Sequence, residues 1–302
     1  MTVNCKTLLI TGVIAGCFLN LSAVAAPQAP PPAPSSTQGS TQGSTPGTAQ
    51  TPPAAADKDK AKNSMSLDDP ATPPVSAEEN AALKAIADLP PAERAKKIEL
   101  GEAFIAKYPN SRYLPGVYST LTVAYLQDGK VPKMVETGEK AIALNPNDVQ
   151  TLALLGQTIP RSMNASSPEP DKQLAKAEQY SRKAIDLTPT LPKPESIDDA
   201  AFSNAKNQTL AMAHSGLGLV YVRRGKFSDA IPELNQSVTI DPTPDPVNYY
   251  LLGIANQKSS HFDDATAAYN KCAAMPGSMQ QTCQKGAEES KKLGATQLSA
   301  PK

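Results

Sequence analysis

The feature that most restricts how this chain can fold is a degenerate repeat in its second half. Gly218 and Gly253 are 35 residues apart, and Ala230 and Ala265 are separated by the same distance. The apolar residues around them follow helical spacing, and nothing after residue 76 shows the sustained alternation of a strand. A period of this length is typical of chains in which each repeat buries its apolar face against the next one. The sequence therefore predicts several stacked helical units.

The residues within each period resemble the tetratricopeptide repeat. The pattern is a Leu-Gly pair, a tyrosine three residues later, a small turn residue, an alanine and a closing proline. In the clearest copy these residues are Leu217, Gly218, Tyr221, Gly225, Ala230 and Pro242. The resemblance implies an all-α fold, a right-handed α-solenoid of stacked antiparallel helix pairs with a C-terminal capping helix. The positions it assigns to packing between helices are Leu121, Tyr125, Leu155, Gly156, Leu217, Gly218, Tyr221, Ala230, Leu252, Gly253, Ala265 and Tyr269.

The repeat frame predicts a helical domain over residues 76–294, followed by a disordered tail at 295–302. Its clearest copies are 115–148, 149–191, 211–244 and 246–279. An insertion at 160–170 separates the two helices of the second copy, and the helix-compatible residues 198–207 lengthen the first helix of the third. Ser76 and Glu79 form a capping box for a first helix. Residues 91–108 resemble the second helix of a divergent first pair, with Pro91 at its start.

The first 25 residues have the pattern of a secretory signal peptide. Lys6 supplies a positive charge, residues 8–19 are apolar, and Ala23-Val24-Ala25 is a typical cleavage pattern. Ile14-Ala15-Gly16-Cys17 resembles the bacterial lipobox, so lipidation of Cys17 is an alternative, and an uncleaved anchor is a third. All three predict export to the periplasm or cell envelope of a Gram-negative-type bacterium.

Residues 26–75 have the composition of a disordered linker. They hold 11 of the 29 prolines and few aromatic or β-branched residues, so they cannot bury enough apolar surface to offset the entropy of ordering. This segment is either a tether that holds the folded part away from a membrane or a tolerated spacer.

Composition and motifs argue against several classes of function. Lys and Arg total 29 and so do Asp and Glu, which gives no electrostatic reason to expect a nucleic-acid partner. Phosphate-binding loops, nucleophile elbows and zinc-binding His-Glu-x-x-His are absent from the sequence. The two histidines, His214 and His261, are expected to be structural or solvent-facing. We therefore expect no catalytic residues, cofactor or metal site, and any contact with a membrane would be through the N-terminal lipid or anchor.

Two cysteines remain after removal of the leader. Cys272 lies on the predicted second helix of the last repeat, and Cys283 lies on the predicted capping helix. An even, close pair in an oxidising compartment predicts a disulfide, which would stabilise the chain by roughly 3 kcal/mol. Two buried free thiols are the alternative.

The resemblance also implies a peptide-binding groove lined by the first helix of each pair. Carried onto this sequence, its residues are Ser119, Val123, Leu126, Gln157, Leu219, Val222, Arg223, Tyr250, Ile254 and Lys258. This groove suits an extended or helical segment of another protein, unless the chain's own insertion or its long helix fills it. We therefore predict an exported, non-catalytic scaffold for a protein or peptide partner, with a structural outer-membrane lipoprotein as the alternative and an enzyme with an unrecognised site as a weaker one.

Overall fold

The computed structural model describes residues 75–299, with side chains described through residue 296. The predicted signal peptide, Cys17 and nearly all of the predicted linker lie outside these residues. The described chain forms eleven α-helices: α1 (Ala77–Ala87), α2 (Arg94–Lys107), α3 (Leu114–Gln127), α4 (Val131–Leu144), α5 (Val149–Ser162), α6 (Pro170–Leu187), α7 (Asp199–Arg223), α8 (Phe227–Ile240), α9 (Pro246–Lys258), α10 (Phe262–Ala273) and α11 (Gln280–Ser299).

The helices pack in the order of the sequence, as a solenoid requires. The closest packing within pairs joins α3 to α4, α5 to α6, α7 to α8 and α9 to α10, and α11 packs on α10. Each pair also contacts the next one, because every even-numbered helix from α2 to α10 packs against the helix that follows it. The predicted all-α fold of stacked helix pairs is confirmed.

A single turn type reverses the chain in three of these pairs. Each turn has three residues, and the central residue has a positive φ. This angle is 72° at Gly129, 71° at Gly225 and 63° at Ser260. The backbone N–H of the residue after the central one donates, at 2.9 Å, to a carbonyl near the end of the preceding helix. The accepting carbonyls are those of Tyr125, Tyr221 and Asn256, respectively. This is the Schellman geometry, which satisfies the last carbonyls of a helix and favours glycine at the left-handed position. The turn brings the second helix antiparallel to the first.

Prolines mark the ends of the second helices. Helices α2, α4, α6 and α8 each end two residues before Pro109, Pro146, Pro189 and Pro242, respectively. A proline disfavours helical geometry in the residue before it. Thr188 is the exception, because its backbone is helical and it begins the short 3₁₀ helix Thr188–Thr190.

The beginning of the domain differs in part from expectation. Ser76 caps α1, since its hydroxyl accepts from the Glu79 N–H at 3.1 Å. Helix α2 does not begin at Pro91 but at Arg94, because a turn in which the Pro90 carbonyl accepts from the Glu93 N–H comes first.

The insertion and the long helix lie near the centre of the domain. Helix α5 continues through Pro160 to Ser162, so the connection that carries the insertion is shorter than predicted and runs over residues 163–169. The prediction that residues 198–207 extend the next helix is confirmed, because α7 begins at Asp199 with Asp198 as its N-cap. The core has one main cluster over α1–α6, completed by Val220, and another that joins α7, α8 and α9 and includes Ala268 of α10.

Candidate functional site

The residues assigned to repeat packing lie between helices. All twelve are buried in the structure. Their glycines make room for a neighbouring side chain, since a β carbon at Gly218 would lie 2.6 Å from Leu234 Cγ and one at Gly253 would lie 2.6 Å from the Tyr269 ring. Such distances are well inside van der Waals contact, so glycine is required for the two helices to approach this closely.

Helices α5 and α7 come together at a contact that the repeat pattern does not contain. A β carbon at Gly216 would lie 2.6 Å from the carbonyl oxygen of Gly156. Pro160, inside α5, has no N–H to donate to that carbonyl. Two neighbouring first helices thus touch backbone to backbone.

Two tyrosines near the ends of first helices hold the preceding helix. The Tyr125 hydroxyl of α3 donates to Glu102 of α2, and the Tyr221 hydroxyl of α7 accepts from Arg182 of α6. Burial, together with the Glu102 hydrogen bond and charge, raises the pKa of Tyr125 to about 12. The phenol therefore remains neutral and keeps its proton for the hydrogen bond.

The four predicted groove residues on α3 and α5 are each half-buried. The Ser119 hydroxyl lies within hydrogen-bond distance of the carboxylate of Asp148, which caps α5. Val123 and Leu126 are half-buried against the larger core cluster. Gln157 is half-buried on α5.

The three predicted groove residues on α7 differ in burial, since Leu219 is buried, Val222 is half-buried and Arg223 is exposed. Leu219 is 7% exposed and lies in the core cluster with residues of α9, so it is not available to a partner. Val222 packs half-buried against the same cluster. The Arg223 guanidinium donates to the Met163 carbonyl at 2.9 Å, which attaches the insertion to α7. Close packing thus removes Leu219 from the predicted groove, and the insertion is joined to α7 beside it.

A polar network further links the first helices across this face. The Arg161 guanidinium of α5 donates to Asp245 at 2.7 Å and to Ser215 of α7 and Asn248 of α9 at 3.2 Å each. Asn248 in turn donates to Ser237 of α8 at 3.1 Å. No motif in the sequence indicated this network, because its members lie more than 50 residues from Arg161.

The last three predicted groove residues line one cleft, which we call the α9–α11 furrow. Tyr250, Ile254 and Lys258 form its α9 side, Lys285 and Glu289 belong to α11, and Tyr269 of α10 lies between them. Its volume is about 350 Å³. Three of the ten predicted groove residues thus line one cleft together.

A larger cavity of about 710 Å³ lies away from the predicted groove. It is bounded by α4, by the end of α5, by the insertion and by α6, with Val135 and Ile159 among its apolar residues. Its lysines are paired with acids, Lys176 with Glu139 at 2.6 Å and Lys172 with Glu169 at 3.1 Å. The insertion therefore builds a cavity that the repeat pattern alone did not predict.

The histidines lie apart from each other, in the positions expected for them. His214 Nδ1 is 2.7 Å from a Glu233 carboxylate oxygen, between α7 and α8, and His261 is exposed at the start of α10. Among residues 75–299 no cluster of three or more potential metal ligands occurs. Within the same range, no helix is sufficiently long and apolar to span a membrane.

The two cysteines of the domain meet between α10 and α11. Their sulfur atoms are at bonding distance, their α carbons are 5.8 Å apart, and both side chains are fully buried. This geometry places the capping helix directly against the last repeat.

No family model and no curated protein matches this chain. Among solved structures, it is similar to a thermophilic TPR protein of Thermus thermophilus, with 19% identity, a TM-score of 0.44, and coverage of 71% of this chain and 99% of that one. It is also similar to MamA of AMB-1, with 15% identity, a TM-score of 0.44, and coverage of 65% and 96%. A tetratricopeptide repeat protein from Parabacteroides merdae ATCC 43184 has 12% identity, a TM-score of 0.33, and coverage of 70% and 82%. The helix pairs, their recurring turn and their buried small residues define the described domain as a TPR-like solenoid.

Proposed function

We propose that this protein is an exported, non-catalytic scaffold that binds a protein or peptide partner in the cell envelope. The observation that carries the proposal is the α9–α11 furrow, a cleft of about 350 Å³ that Tyr250, Ile254 and Lys258 line together. A solenoid gives such a surface a rigid support, since each helix pair is fixed by its neighbours. The leader pattern in residues 1–25 supports the location.

Site-specific photocrosslinking in the native envelope tests the binding surface. A photoreactive amino acid at Ile254 faces the furrow, and the same group at Asn270 provides the control, because Asn270 is exposed on α10 and does not line the furrow. We expect a discrete protein adduct from position 254 and none from position 270. Identical adducts from both positions, or none from either, would count against the proposed function.

The lipobox-like Ile14-Ala15-Gly16-Cys17 favours a second candidate, a structural outer-membrane lipoprotein. Mass spectrometry of the mature N-terminus separates the two proposals. A diacylglyceryl group on Cys17 supports the lipoprotein, and a free N-terminus at Ala26 excludes it.

A further inference from the structure

The α9–α11 furrow has a chemistry that narrows the kind of partner it fits. We infer that it recognises a partner peptide in which an acidic side chain stands next to an apolar one. The inference rests on the proposed function, because it names the ligand chemistry of the same surface.

The floor of the furrow supplies an apolar, aromatic contact. The rings of Tyr250 and Tyr269 have centroids 5.9 Å apart, and Ile254 packs beside them. Tyr269 is only 3% exposed, and this burial raises the pKa of its phenol, so the floor carries no charge at neutral pH. Aromatic residues of this kind are favoured anchors in protein interfaces because they offer a large contact area with few rotatable bonds.

The rim of the furrow carries an excess of positive charge. Lys258 and Lys285 line it, and Glu289 is the one acid beside them. Neither lysine has a carboxylate within ion-pair distance among the described residues, in contrast to Lys172 and Lys176 of the larger cavity. One net positive charge above an uncharged floor complements an acidic group attached to an apolar segment.

Helix dipoles do not account for both lysines. Lys258 lies in the last turn of α9, where the dipole favours a cation. Lys285 lies in the second turn of α11, where the dipole gives a cation no such advantage. Both lysines are exposed, so their charges are available to a ligand at the rim of the furrow.

The packing of α11 explains why the furrow is open. Gly286 and Ala287 seat α11 against α10, since a β carbon at Gly286 would lie 2.8 Å from the Tyr269 ring. Contact with α9 is much sparser and includes a hydrogen bond of 3.2 Å from Gln257 to Ser290. A space of about 350 Å³ therefore remains between α9 and α11, enough for one or two side chains but not for a helix.

Panning a random heptapeptide library displayed on phage against residues 26–302 tests the inference. We expect the enriched peptides to combine Asp or Glu with an adjacent apolar residue. The synthetic form of the most enriched peptide should bind K258E/K285E at least 10-fold more weakly than the wild type. Its binding should also weaken as NaCl rises from about 0.05 M to about 0.5 M, because salt screens exposed charges.

The double variant K226E/K291E is the matched control. It removes the same charge from exposed lysines that do not line the furrow, and we expect its affinity to stay within about twofold of the wild type. Replacing the opposing acid, Glu289→Gln, should strengthen binding. A consensus without acidic residues, or an equal loss in both double variants, overturns the inference while leaving the proposed function intact. Absence of any enriched peptide argues against both.

Discussion

A single missing methyl group at Gly216 sets the distance between α5 and α7. Its β carbon would meet the Gly156 backbone at 2.6 Å, and a backbone carbonyl cannot rotate away as a side chain can. We expect Gly216→Ala to lower the free energy of unfolding by about 2–3 kcal/mol, despite the better helix propensity of alanine. Chemical denaturation followed by circular dichroism measures this change.

Substitutions at two other glycines, Gly218 and Gly294, provide comparisons for the Gly216→Ala result. At Gly218 the obstacle is the side chain of Leu234, so Gly218→Ala should cost less than Gly216→Ala, and a large residue there should cost several kcal/mol. At Gly294 the nearest atom, Phe262 Cβ, would be 3.3 Å away, and the better helix propensity of alanine should offset this tight contact, so Gly294→Ala should be close to neutral. An unchanged midpoint for Gly216→Ala would contradict the close contact between the two helices.

The ionised carboxylate of Glu178 stabilises the contact between α6 and the end of α7. Burial alone would raise the pKa of this carboxyl, but hydrogen bonds from Arg224 and Arg182, and their charges, hold it below its usual value of 4.5. Because the pKa is lowered in the folded state, the stabilisation is present above pH 4.5 and is lost as the pH falls through the folded value.

We therefore expect Glu178→Gln to destabilise the domain by about 1–3 kcal/mol at pH 7 and by progressively less below pH 4.5. Denaturation midpoints across this pH range test the prediction. Glu99→Gln is the control, since the Lys96–Glu99 pair is exposed and should contribute little at any pH. A stability difference between Glu178→Gln and the wild type that does not change with pH would show that the charge of Glu178 is not its cause.

At the scale of helices, the sequence predicts elements well because their signals are local. Pro146 and Pro242 end helices through their own backbone, and Gly129 and Gly225 reverse the chain through their own φ angles. The end of α5 could not be predicted in this way, because the helix continues past Pro160 to Ser162. A proline inside a helix loses one hydrogen bond, and the close packing of α7 on α5 stabilises the helix despite that loss.

The groove was harder to predict than the helices, for a related reason. Leu219 and Ile254 both occupy groove positions in the repeat frame, yet Leu219 is buried and Ile254 lines the furrow. The difference comes from how α7 and α11 are placed against their neighbours, which depends on contacts distant in sequence. The Arg161 network has the same origin and left no sequence signal.

Helix α11 is the element most dependent on a single cross-link. The Cys272–Cys283 bond would join it to α10 across a short loop, and such a bond stabilises by roughly 3 kcal/mol. In the oxidised protein, thiol titration should find no free thiols in the mature domain. The double variant Cys272→Ser/Cys283→Ser should show about 100-fold faster amide hydrogen exchange in α11, with little change in α3 and α4. Two titratable thiols, or equal exchange in α11 of both proteins, would exclude the bond or its role.

Across the whole domain, stability should depend on position along the stack, because each helix pair packs mainly against its neighbours, although the Arg161 network also joins α5 to α9. Ile86 and Leu217 are comparably buried, at 3% and 1% exposure. Ile86 belongs to α1, which has few contacts beyond α2, whereas Leu217 belongs to α7, which packs against α5, α6, α8 and α9. Truncating the Ile86 side chain should therefore destabilise only the start of the domain, whereas truncating Leu217 should destabilise the whole domain.

We expect Leu217→Ala to lower the free energy of the main unfolding transition by about 2–5 kcal/mol. Ile86→Ala removes a similar side chain but should mainly increase amide exchange in α1 and α2, and should shift the main transition by less than a third of the Leu217→Ala effect. Denaturation and hydrogen exchange on the same samples separate these outcomes. Equal shifts of the main transition in the two variants would contradict this prediction. They would mean that the domain unfolds as one cooperative unit rather than from its ends. Only strong coupling between neighbouring helix pairs could transmit the loss of the Ile86 side chain along the stack.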